Sequence, residues 1–127
     1  MTEPHPAVTY ATYLRVPELL ALQRPRTADD GQVAEHDELL FITIHQVYEL
    51  WFKVLLHEID KAKADLSSGD LFAAIATFKR SRTIMKTLVG QIDVLETMTP
   101  MSFLSFRARL EAASGFQSPQ FRELEFA

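Results

Sequence analysis

Hydrophobic positions recur along the chain at intervals of three and four residues, and no stretch alternates polar and apolar residues as a half-buried strand would. The strongest periodic segment runs from about His36 to Ser67, where Phe41, Ile44, His45, Tyr48, Phe52, Leu55 and Ile59 share one stripe. Asp37 and Glu38 stand at its start, where the helix dipole favours acids, and Ser67-Ser-Gly69 closes it. Asp70 is placed to cap a helix running to about Glu96, with Leu71, Ala74, Ile75, Phe78, Met85, Leu88, Ile92 and Leu95 as its apolar positions. Thr99-Pro100 opens a further helix to about Ala112, ended by Ser114-Gly115, and Ser118-Pro119 opens one that runs to Ala127. Its apolar positions, Phe121, Leu124 and Phe126, are expected to need a covering partner, so the chain reads as truncated.

Ahead of these, residues 1–8 read as an extended arm and residues 24–34 as a loop. Thr9 to Gln23 reads as a helix beginning at Pro17 with a kink or break behind it. The expected fold is all-α: a helical bundle with an N-terminal arm. Residues 1–30 form the arm and short helix, and residues 31–127 the helical core.

Composition narrows the function classes. A 127-residue chain with 47% hydrophobic residues can bury a modest core, which argues against disorder. The net charge of −4 offers nucleic acid no basic footprint. The chain has no Cys, which excludes disulfides, thiolate metal sites and Cys nucleophiles and fits a cytoplasmic setting. Met1-Thr-Glu-Pro-His-Pro lacks the pattern of a signal peptide. His45, Gln46, Glu49 and Lys53 interrupt the apolar stretch from Leu39 to Leu56, so it reads as a core helix and not as a membrane span.

Two residues do not fit a plain core. His45 is the one ionisable group in its stripe. It is either a core histidine satisfied by a carbonyl or carboxylate, or one that faces a cavity together with Phe41. His57, beside Lys53, Asp60 and Lys61, belongs to a solvated face. In the helix after Pro100, Phe103, Phe106, Arg107 and Leu110 fall on one stripe, which places a guanidinium among apolar positions. Glu111 four residues on would make Arg107 an ordinary helix ion pair, while a bound carboxylate would use its two-pronged donor. Spacing leaves both readings open. A carboxylate-bridged di-iron site would need paired Glu-x-x-His motifs, whereas His45 and Glu49 are a lone pair four apart. No Gly-rich phosphate loop, zinc motif or nucleophile elbow is present.

Three segments together carry a resemblance. Thr9-Tyr-Ala-Thr-Tyr-Leu-Arg-Val-Pro-Glu-Leu-Leu is similar to the N-terminal segment of the tryptophan 2,3-dioxygenases. His36-Asp-Glu-Leu-Leu-Phe-Ile-Thr-Ile-His-Gln-Val-Tyr-Glu-Leu-Trp-Phe-Lys resembles that family's most distinctive helix. Leu95-Glu-Thr-Met-Thr-Pro, Phe106-Arg and Ser114-Gly-Phe-Gln-Ser resemble the region that follows, so the match runs from about residue 9 to 126.

The resemblance implies an intertwined, homotetrameric haem enzyme that inserts both atoms of O₂ across the indole 2,3 bond of L-tryptophan, giving N-formylkynurenine. It implies that His45 is the distal histidine facing the indole N–H and that Phe41 packs on the indole ring. Arg107 would hold the substrate carboxylate, with Leu110 lining the pocket. Ser114 and Gly115 would lie in a loop near a haem propionate, and Tyr10 and Tyr13 would reach a neighbouring subunit's pocket. Phe103 departs from the family, which commonly has a pocket Tyr there, so one hydroxyl is missing. The proximal iron ligand would come from a helix beyond residue 127, since His5, His36 and His57 do not stand in its context. Three readings follow: the distal half of a tryptophan dioxygenase that needs its C-terminal half, a non-catalytic oligomerising module derived from the family, or a related haem enzyme on another aromatic amino acid.

Overall fold

The computed structural model describes residues 7–26, 35–107 and 118–127, and for Ser102, Ser105, Phe106 and Arg107 the backbone alone. The described residues form six helices and no strand: α1 (Tyr10–Leu14), α2 (Val16–Leu20), α3 (Glu38–Ser68), α4 (Leu71–Leu95), α5 (Pro100–Arg107) and α6 (Pro119–Phe126). The all-α expectation is met.

Local chemistry explains each boundary. Thr9 and Thr12 form a reciprocal capping box at the start of α1. Arg15 then takes the left-handed conformation (φ 55°), which ends α1 and lets α2 begin with Pro17 in its first turn. This is the break expected ahead of Pro17. Gly69 (φ 82°) ends α3 with its N–H turned back to Asp65 and Leu66, a conformation that costs glycine little. The Asp70 side chain accepts from Ala73 N at 3.1 Å, so α4 starts immediately and runs back antiparallel along α3. Ser118 caps α6 in the same way, accepting from Phe121 N at 3.1 Å.

The core lies between α3 and α4. Ala62 and Ala74 are buried near the hairpin turn, where small side chains let the helices approach closely. Further along, Leu55, Ile84 and Leu88 are buried together, with Tyr48, Trp51, Phe52 and Leu124 packed around them. Arg80 closes the edge by donating to the buried Glu58 at 3.2 Å. By length and composition α3 could cross a membrane. Three polar side chains on it bond within the chain: Gln46 to Leu22 O, Glu49 to Gln120 and Glu58 to Arg80.

The structure divides what periodicity left together. The apolar positions of α4 form two stripes. Ala74, Thr77, Ile84 and Leu88 face α3, whereas Leu71, Ile75, Phe78, Met85 and Ile92 are exposed, because one partner helix covers only part of so wide an apolar arc. The expectation that α6 needs a covering partner is corrected in part: Phe121 and Leu124 are partly covered by α3 and α4, while Phe126 is exposed. Glu38, an acid in the first turn of α3 as expected, is wholly buried and accepts from Arg26 N at 2.8 Å, tying down the preceding segment. The expected helical residues 108–112 lie outside the described residues.

The two stripes of α4 predict opposite responses to truncation. Leu88→Ala should lower the stability of the isolated chain to urea by about 2–5 kcal/mol, as for a buried leucine. Ile75→Ala on the other stripe should stay within about 0.5 kcal/mol of the parent.

Candidate functional site

One face of α3 organises the site. Phe41 and His45 lie one helical turn apart, and their ring centroids are 4.3 Å apart with planes tilted by 39°. His45 Nδ1 lies 2.7 Å from the backbone oxygen of Phe41. A carbonyl can only accept, so Nδ1 carries the proton and, in the neutral ring, Nε2 keeps its lone pair. The core-histidine reading therefore describes Nδ1, which the backbone satisfies, while Nε2 is left as an acceptor.

Phe103 of α5 completes the aromatic wall, with its ring 5.9 Å from Phe41. On the other side of His45, Tyr48 presents its ring at 86° with centroids 6.4 Å apart. The Tyr48 hydroxyl donates to Leu88 O of α4 at 3.2 Å, and burial raises its pKa above the usual 10.0. The Tyr48 ring stacks on Phe52, which in turn meets Phe121 of α6. An aromatic run thus extends from α5 to α6 along α3, with one imidazole in it. Beyond Tyr48 it borders an apolar cleft of about 330 Å³, lined by Phe52, Leu55, Met85, Leu88, Phe121 and Leu124 among others.

Polar contacts hold the surroundings in place. Gln46, next to His45, donates to Leu22 O at 2.9 Å and accepts from Gln23 at 2.9 Å, which fixes the segment after α2 against α3. Gln120 of α6 donates to both the backbone and the carboxylate of Glu49, at 2.9 and 2.8 Å. Glu49 is thus paired with α6, and no cluster of His and acids able to hold a metal occurs among the described residues.

The structure brings Phe41, His45 and Phe103 together. It places the backbone of Arg107 on α5 one turn after Phe103, while its side chain, Leu110, Ser114 and Gly115 lie outside the described residues. Tyr10 and Tyr13 are on α1 and are 78% and 76% exposed. His36 and His57 are exposed at other points of the chain. Sequence reasoning placed Tyr48 in the stripe but missed its bond to Leu88, since a backbone acceptor 40 residues away leaves no local signal.

These features define a class: a chain whose described elements are all helices, with an aromatic run along one of them and an acceptor imidazole in that run. Residues 3–127 match the tryptophan 2,3-dioxygenase family. The chain is 57% identical over 128 residues to a tryptophan 2,3-dioxygenase of Anaeromyxobacter dehalogenans, covering 98% of this chain and 46% of the relative. It is 58% identical over 120 residues to that of Herpetosiphon aurantiacus (94% and 45% covered) and 55% over 123 residues to that of a Nocardioides species (94% and 45%). The chain belongs to the tryptophan 2,3-dioxygenase family, and it spans about half the length of the curated relatives it matches.

The pKa of Tyr48 gives a pH test. A phenol whose pKa is raised by folding contributes stability that is present below pH 10.0 and is lost as pH rises through the folded-state value. Urea stability should fall with rising alkalinity above that point, and Tyr48→Phe should remove this part of the slope. At neutral pH the same variant should cost about 1 kcal/mol, the worth of the lost hydrogen bond.

Proposed function

We propose that this chain forms the distal half of a haem-dependent tryptophan dioxygenase pocket, where L-tryptophan is held for reaction with O₂ to N-formylkynurenine. The observation that carries the reading is the bond from His45 Nδ1 to Phe41 O, which leaves Nε2 as an acceptor beside the aromatic wall of Phe41 and Phe103. That pairing suits an indole: a flat apolar slot with one acceptor for its ring N–H. Arg107 follows Phe103 by one turn of α5 and takes the substrate carboxylate, with Leu110 lining the slot. Ser114 and Gly115 belong to the segment that closes over the cofactor edge. Tyr10 and Tyr13, exposed on α1, reach a neighbouring subunit of an intertwined tetramer.

The residues fit one side of a haem and not both. His45 offers an acceptor and the wall is apolar, but His36 and His57 are exposed elsewhere and do not face the same recess. Bound haem supplies the oxygen chemistry. This chain's own part is to orient the indole, hold its N–H at His45 Nε2 and exclude water from the slot. The proximal ligand belongs to the C-terminal half.

Co-expression of the chain with the C-terminal half of the Anaeromyxobacter relative should give a haem Soret band and tryptophan-dependent O₂ uptake. Arg107→Ala should keep the Soret band and weaken tryptophan binding about 10- to 100-fold, as for a lost charge-assisted bond. A folded complex with neither haem nor tryptophan affinity would contradict the proposal.

A further inference from the structure

His45 is half-buried on α3, and the rings of Phe41 and Tyr48 flank its imidazole. Phe41, one turn before it, lies with centroids 4.3 Å apart. Tyr48, three residues after it, stands nearly at right angles with centroids 6.4 Å apart. In water a neutral histidine carries its proton mainly on Nε2. The 2.7 Å contact of Nδ1 with Phe41 O reverses that preference, because a carbonyl can only accept. One such bond moves the balance by about tenfold. It does so only while the imidazole stays against that carbonyl, since water serves either nitrogen once the ring swings out.

Tyr48 is placed to prevent that swing. It stands beside the imidazole, and its own position is fixed from outside α3. Its hydroxyl donates to Leu88 O of α4 at 3.2 Å, across 40 residues of chain. Leu88 is buried in the core with Leu55 and Ile84. The Tyr48 ring also stacks on Phe52, with planes 9° apart. A ring held at its hydroxyl and on its face yields little when a neighbouring side chain moves against it. The same bond commits the phenol's proton to a carbonyl, so that proton is not offered to His45 Nε2.

We propose that Tyr48 is a positioning residue for His45. Anchored on Leu88 O, its ring keeps the imidazole against the Phe41 carbonyl and so holds the Nδ1–H form, with Nε2 free to accept. Its value to catalysis rests on the proposed role of Nε2 as acceptor for an indole N–H; its control of the tautomer does not.

The test reads His45 in the full chain, labelled with nitrogen-15 in histidine, at a pH where the imidazole is neutral. Loss of a signal in His45→Gln assigns the ring. Tyr48→Leu removes both the ring edge and the anchor, and should raise the ratio of Nε2–H to Nδ1–H about fivefold or more. Tyr48→Phe keeps the edge and loses the anchor, and should raise it about twofold. Ile84→Ala opens the α3–α4 core without touching His45, and should leave the ratio at the parent's value while lowering stability more than Tyr48→Phe does. A parent-like ratio in either Tyr48 variant would overturn the proposal; where the leucine variant does not fold, the phenylalanine variant decides. A shift in Ile84→Ala as large as that in Tyr48→Leu would also overturn it, since the tautomer would then follow stability alone. Neither haem nor tryptophan enters these samples, so the positioning role and the catalytic reading can fail separately.

Discussion

The structure depends on α3 serving two neighbouring faces at once. One face, with Leu55, Glu58 and Ala62 buried, packs on α4. The adjoining face carries Phe41, His45, Tyr48 and Phe52, and it meets α5 and α6. Tyr48 joins the two: its ring stands in the aromatic run while its hydroxyl reaches Leu88 O on α4. His45 is held by rigid secondary structure and not by a loop, because its Nδ1 is bound one turn back on the same helix.

Much of this was legible in the sequence, for identifiable reasons. Helix starts were readable where a side chain supplies the missing acceptor, as at Asp70 and Ser118, and helix ends where a left-handed residue is required, as at Gly69. His45 and Arg107 stood out because ionisable groups in apolar stripes demand a partner. The tautomer of His45 could not be read from periodicity, which says that the ring faces inward but not which nitrogen the backbone takes. Nor could the sequence divide the apolar arc of α4 into covered and uncovered stripes. That division depends on how many helices pack around it, which is a tertiary property.

Membership of the tryptophan 2,3-dioxygenase family explains why a stable helical hairpin leaves so much apolar surface uncovered. The matched region is 46% of the Anaeromyxobacter relative, and a fold of that length distributes its core over more elements than the hairpin described here. The same division applies to the site. The described part of the site is an aromatic wall and an acceptor imidazole.

The site turns on one proton. Nitrogen-15 NMR of the chain labelled in histidine, with the His45 imidazole neutral, reads directly which ring nitrogen is protonated. The Nδ1–H form is expected, with Nδ1 hydrogen-bonded to Phe41 O and Nε2 bare. A dominant Nε2–H form would leave no acceptor for an indole N–H and would contradict the proposed role of His45.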